Sequence, residues 1–197
     1  MDNQPGYPQV ILVAGPNGAG KTTSARLLLK EHFGVLDYVN ADAIAHGLSA
    51  FQPESVALEA GRVMLNRLHS LAVRRRDFAF ETTLAGRSYA PWLKEICQQG
   101  YQLHLLFLWL NDPELAVARV RKRVEEGGHG IPEATIRRRY RNGVRNFFEF
   151  YQPLAATWGV YHNSGTQGPV LIAQGQNQTV TIIRQPDSWA AFCEVAK

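Results

Sequence analysis

Gly15-Pro16-Asn17-Gly18-Ala19-Gly20-Lys21-Thr22 has the spacing GxxxxGK[ST], which is built to hold phosphates. Glycines let successive backbone N–H groups turn inward around an anion. Lys21 reaches the β and γ oxygens, and the Thr22 hydroxyl can ligate Mg²⁺ at the positive end of a following helix. The predicted ligand is a nucleoside triphosphate. Downstream, Asn40-Ala41-Asp42 offers a carboxylate that can take a proton from an acceptor hydroxyl, a role worth about 10² to 10⁴ in rate. The same Asp42 could instead cap a helix over 43–48. Glu81-Thr82-Thr83 groups acceptors and donors suited to a sugar or other polyol, or it forms an ion pair at the end of a strand.

Nine of the 21 basic residues fall between Arg119 and Arg145, against three acids. Arg119 and Arg123 are four apart on one helical stretch, and Arg137, Arg138 and Arg139 begin the next beyond a Gly127-Gly128 breaker. This pattern predicts a lid whose glycines permit closure and whose arginines neutralise charge on transferring phosphates. For any one of them a solvated helix face is the alternative. His129 lies at the hinge as a structural residue, and Arg74-Arg75-Arg76 suit the negative end of the helix they terminate.

The elements that must position these groups follow from periodicity. Val10 to Ala14 is a short apolar run delivered into the glycine loop, and a helix follows over 22–31. A second strand over 35–39 leads to Asn40, and Pro53 opens a helix with Val56, Ala60, Val63, Met64, Leu68 and Leu71 at helical spacing. A third strand over 78–80 precedes a helix that stops at Gly100, and a fourth runs over 101–110. Asp112-Pro113 predicts a capped helix over 113–126. Pro132 restarts a helix with Ile136, Tyr140 and Phe147 on one face and Arg138, Arg141 and Arg145 on the opposite face. Strands near 158–162, 170–173 and 180–183 and a closing helix from Ser188 complete a largely parallel sheet covered on both faces. The segment 158–165 could border a nucleotide base.

Composition narrows the class. At 197 residues, 45% hydrophobic, the chain suits one domain. Its longest apolar runs fall far short of a membrane span, and the N-terminus carries no secretory signal, so a cytoplasmic location is expected. Cys97 and Cys193 lack metal or disulfide spacing. Neither an LSGGQ signature nor an Asn-Lys-x-Asp motif is present, which leaves a small kinase as the better fit than a transporter ATPase or a GTPase switch.

These residues resemble the zeta toxin family of P-loop kinases, in particular its short stand-alone members. The resemblance is carried by the loop over 15–23, Asn40-Ala41-Asp42, Glu81-Thr82-Thr83, Asn111-Asp112-Pro113-Glu114, Arg123-Val124, Gly127-Gly128-His129 and Ile131-Pro132. It implies one domain over 1–197, a three-layer α/β sandwich with a mostly parallel central sheet and a helical lid over about 113–150. It also implies ATP and Mg²⁺, with Gly15, Pro16, Asn17, Gly18, Ala19, Gly20, Lys21, Thr22, Thr23 and Arg119 on the nucleotide and Thr22 on the metal. Lys21, Asp42, Arg123 and Arg139 are the implied catalytic residues, and Glu81 with Thr82 and Thr83 the implied acceptor site beside Asp42. The implied acceptor is a hydroxyl of a small metabolite, the 3'-hydroxyl of UDP-N-acetylglucosamine in characterised members. A protein antitoxin is the implied partner, and no membrane is involved. The competing reading is a nucleotide-gated nucleic-acid binder or RNA end-kinase using the basic lid, although Tyr140 and Phe147 fall on the buried side and give no stacking platform. An ATP-driven conformational switch is a third.

Overall fold

β1 (Gln9–Ala14) is buried from Val10 onward and lies between two parallel neighbours, as an unalternating apolar run requires. The computed structural model describes residues 7–128, 130–165 and 167–197, so the expectations for the first residues and for His129 lie outside the described residues. The sheet runs in the order β2 (Tyr38–Val39), β3 (Phe78–Thr82), β1, β4 (Gln102–Trp109), β5 (Thr157–His162), β6 (Val170–Gln176) and β7 (Thr179–Ile183). The first five strands in that order are parallel. β6 and β7 are antiparallel, because the turn at Asn177 joins them without a crossover helix. The second strand is shorter than expected: Tyr38 N bonds to Leu36 O in a turn, and Leu36 is 93% exposed.

Helices α1 (Lys21–His32), α2 (Ala41–Leu48), α3 (Ala57–Val73) and α4 (Tyr89–Gln98) link the first four strands. α5 (Pro113–Glu125), α6 (Glu133–Asn146) and α7 (Pro186–Val195) follow. Pleat alternation sorts the strand side chains onto two faces. Phe78 and Phe80 meet Trp92 of α4, while Phe107 and Trp109 meet Phe192 of α7, so these helices share one face. His104 faces the other side, toward Phe33 at the end of α1. Register places Val13 beside Glu81 and Ala14 beside Thr82, so Glu81 points to the α1 layer and Thr82 to the opposite one.

The helices expected to form a lid are built into the domain. Ile136, Tyr140, Val144 and Phe147 are buried, and Tyr140 Oη donates to Leu110 O at 2.6 Å. Asn146 Nδ2 donates to Leu84 O at 2.7 Å and Tyr151 Oη to Gly86 O at 2.8 Å, fastening the end of α6 to the loop after β3. The Gly127-Gly128 pair, expected to break the helix, does end α5. Gly127 N bonds to Val124 O at 3.0 Å and Gly128 N to Arg123 O at 2.8 Å, the paired closure that a positive-φ glycine gives a helix end. The arginine run at the end of α3 also differs from expectation. Arg75 donates to Gln99 O beyond α4, and Arg76 pairs with Asp37, so two of the three serve neighbouring elements. Among the described residues no helix is long and apolar enough to cross a membrane.

His104 is buried in β4 with Nδ1 2.7 Å from Thr157 Oγ1, and burial holds its pKa below the ordinary 6.5. The unfolded chain therefore binds this proton more readily than the folded one. The stability is whole above about pH 6.5 and declines as pH falls. Urea midpoints should drop between about pH 7.5 and pH 5.5, and His104→Leu should remove part of that slope. Equal slopes in both proteins would remove His104 as the cause.

Candidate active site

The parallel strands β1, β2 and β3 end on one edge of the sheet, where ligands bind in open α/β folds. The glycine loop leaves β1 there and turns into α1. Lys21 Nζ folds back over the loop and donates to Gly15 O and Pro16 O, each at 3.0 Å. Burial holds its amine below the ordinary value, while the charges of Glu81 and Asp42 act in the opposite direction. Asn17, Gly18, Gly20, Lys21, Thr22 and Thr23 line a cavity of about 340 Å³, and Ala19 is buried with its carbonyl turned toward Asn163.

Thr22 Oγ1 donates to the Glu81 carboxylate, 3.0 Å from Oε2, and Tyr38 Oη donates to the same carboxylate. Burial and the adjacent Glu81 charge raise the Tyr38 phenol above its ordinary value. Strand alternation explains why Glu81 meets α1. It also separates the acceptor cluster expected from sequence: Thr82 Oγ1 accepts from Leu84 N at 3.2 Å and Thr83 Oγ1 from Ala85 N at 3.4 Å, so both brace the loop after β3. Glu81 lines the phosphate cavity, and neither threonine does. The oxygen donors of Thr22, Glu81 and Asp42 suit a hard cation such as Mg²⁺ shared with phosphates.

The capping alternative for Asp42 is settled by its neighbour. Asn40 Oδ1 accepts from Ala43 N at 3.0 Å and caps α2, which begins at Ala41. Asn40 Nδ2 also donates to Thr22 Oγ1 at 3.3 Å. Asp42 stands in the first turn and lines the phosphate cavity. It also lines an adjoining pocket of about 390 Å³ whose walls include Ala43, His46, Pro53 and Ala57. The two cavities share Thr22, Asp42 and Arg123.

The basic cluster divides. Arg119 Nη1 donates to Gly18 O at 3.3 Å and Asn163 O at 2.8 Å, and Nη2 donates to Ser164 O at 2.8 Å. Arg139 Nη1 donates to Asn17 Oδ1 at 3.3 Å, with its guanidinium lowered by burial and by Arg138 and raised by Asp42. Arg137 is held by Glu114 at 2.7 Å and Glu133 at 3.2 Å, and Arg121 also pairs with Glu133, which clamps α5 to α6. Arg138, Arg141 and Arg145 line a separate groove. The structure thus brings Lys21, Thr22, Asp42, Glu81, Arg119, Arg123 and Arg139 around the loop and places Thr82, Thr83 and Arg138 elsewhere. Sequence reasoning missed Tyr38 and Asn40 as the cap, and it placed Asn163 only in a segment bordering the base, without its contact with Ala19. Only Asn40 carried a local signal, an Asn three residues before Ala43.

Residues 1–167 match the family model for zeta toxin. An uncharacterized protein of Haemophilus influenzae is 30% identical over 132 residues, covering 67% of this chain and 92% of its own. The structure from the PezAT chromosomal toxin-antitoxin system of Streptococcus pneumoniae superposes with a TM-score of 0.66 at 16% identity, over 99% of this chain and 88% of that one. An AvrRxo1-ORF1:AvrRxo1-ORF2 complex gives 0.72 at 14% identity, over 97% of this chain and 64% of that one, and that complex has also been solved with ATP. At these identities the structural likeness shows the fold.

Gly128 lies over Arg123, where an added Cβ would meet Arg123 Cγ at 2.6 Å and Arg123 O at 2.8 Å. Gly128→Ala is expected to displace that arginine from both cavities and lower nucleoside triphosphate turnover about tenfold or more, with circular dichroism unchanged. Initial rates on the folded variant check this, and an unaltered rate would release Arg123 from the role.

Proposed function

This chain belongs to the zeta toxin family and is an ATP-dependent kinase, and we propose that it transfers the γ-phosphoryl group to a hydroxyl of a small metabolite held beside Asp42. The observation that carries this reading is that the phosphate cavity and the adjoining pocket share Thr22, Asp42 and Arg123. A donor phosphate in one and an acceptor hydroxyl in the other would meet at these residues.

In the proposed step, the Asp42 carboxylate accepts the hydroxyl proton as the acceptor oxygen bonds to the γ-phosphorus. The bond from that phosphorus to the β–γ bridging oxygen breaks, and ADP leaves. Lys21 exchanges its two loop carbonyls for phosphate oxygens, the stronger charge-assisted partners. Arg123 and Arg139 approach from α5 and α6 and offset the charge that spreads over the transferring group. Thr22 and Glu81 would hold Mg²⁺, which neutralises charge on the phosphates when bound, and this leaves the Asp42 carboxylate for the acceptor proton. Glu81, engaged with Thr22 and Tyr38, serves this cavity in preference to the acceptor. Thr82 and Thr83 act through the loop that they brace.

The family resemblance makes UDP-N-acetylglucosamine the first acceptor to try, and it makes a protein antitoxin the expected partner. The likeness to a toxin-antitoxin structure supports that partner. An oligonucleotide acceptor has less support, because four of the cluster's arginines line a groove apart from the phosphate cavity and one of these, Arg137, is held with Arg121 in ion pairs.

Transfer from γ-labelled ATP with Mg²⁺ into UDP-sugars, nucleosides, polyols and a short RNA tests the reading. Asp42→Asn should retain ATP binding and lose about 10² to 10⁴ in transfer rate, while Lys21→Ala should lose both. Transfer retained in Asp42→Asn would remove Asp42 as the base, and label on RNA alone would favour the nucleic-acid reading.

A further inference from the structure

Asn163 follows β5 and is only 8% exposed, yet the chemistry above gives it no task. Its backbone is fixed on both sides. The N–H donates to Trp109 O at 2.9 Å, and the carbonyl accepts from Arg119 Nη1 at 2.8 Å. Arg119 also holds the next residue through Ser164 O, and Ser164 Oγ accepts from Asn111 N at 3.1 Å. The segment behind the phosphate loop is therefore tied to the end of β4 and to α5.

From that anchored position, Asn163 Nδ2 donates to Ala19 O at 2.7 Å and lies 3.5 Å from Ser24 Oγ in α1. The Ala19–Gly20 peptide is trans, so its C=O and N–H point in opposite directions. With the carbonyl held back toward Asn163, the Gly20 N–H is turned toward the cavity that Gly20 lines. Gly20 suits this arrangement twice over. Its φ is +76°, and a Cβ there would lie 2.9 Å from Asn163 Nδ2. Without the amide donor, the carbonyl of buried Ala19 loses its partner, and rotating the peptide toward another one would turn the Gly20 N–H out of the cavity.

We propose that Asn163, steadied by Arg119, is a positioning residue that aims the Gly20 N–H at a bound phosphate. The inference rests on the reading that this loop holds ATP. Arg119, which also lines the phosphate cavity, steadies Asn163 by holding the main chain of Gly18, Asn163 and Ser164.

The test compares wild type with Asn163→Ala, with the isosteric Asn163→Asp, which replaces the donor by an acceptor, and with Arg119→Gln at a half-buried site. ATP affinity is measured by calorimetry, and the Gly20 amide is followed by ¹⁵N NMR. The expected result is a rise in the ATP Kd of about tenfold or more in both Asn163 variants and a smaller rise in Arg119→Gln. The displacement of the Gly20 amide signal on adding ATP should shrink in the same order, at temperatures where all are folded. Should Asn163→Ala not fold, the isosteric Asn163→Asp and its Gly20 signal carry the same comparison, since Arg119 also lines the phosphate cavity and its variant alone would not separate positioning from direct contact. Affinities within about twofold of wild type, with the Gly20 response intact, overturn the inference alone. Failure of wild type to bind ATP removes the underlying reading and this inference with it.

Discussion

A half-buried ammonium sets the terms for the site. Lys21 must sit where water is excluded if it is to act strongly on phosphate charge, and burial by itself opposes its charged form. The structure offsets that cost with two loop carbonyls and the nearby charges of Glu81 and Asp42. Each compensating group arrives on a different element: the carbonyls after β1, Asp42 after β2 and Glu81 at the end of β3. A sheet in which these three strands run parallel brings all of them to one edge. An antiparallel neighbour would deliver its loop to the far end.

The same constraint explains the polar network behind the carboxylates. Glu81, half-buried beside Lys21, is satisfied by Thr22 and Tyr38. Asn40 then does two tasks with one side chain, capping α2 through Oδ1 and reaching Thr22 through Nδ2. That frees Asp42 from the cap and leaves it at the boundary between two cavities. The arrangement holds its functional groups with ordinary structural interactions, so few of them are devoted to chemistry alone.

The basic residues show how one composition signal resolves into several roles. Arg121 and Arg137 clamp α5 to α6 through Glu133 and Glu114. Arg119 holds the loop's main chain and lines the phosphate cavity with Arg123, while Arg139 reaches Asn17. Tyr140, Asn146 and Tyr151 fasten α6 and the turn after it to the loops beyond the β-strand ends, so the arginine-bearing helices stand over the cavity. The glycines between α5 and α6 terminate a helix and leave room for Arg123.

By itself the sequence determined what depends on neighbours along the chain. The phosphate loop, the apolar run of β1, the Asp112-Pro113 start of α5 and the apolar face of α6 are all local patterns, and each stands where periodicity and capping place it. The tertiary structure decided what depends on register and packing. Whether Glu81 faces α1 or the opposite layer is fixed by pleat parity against β1, and whether Asp42 caps or is free depends on where α2 begins. Which arginine meets the loop and that Asn163 touches Ala19 depend on contacts between residues more than a hundred positions apart. Such contacts leave no trace in local spacing, because two side chains far apart in the chain meet only after the strands have been ordered.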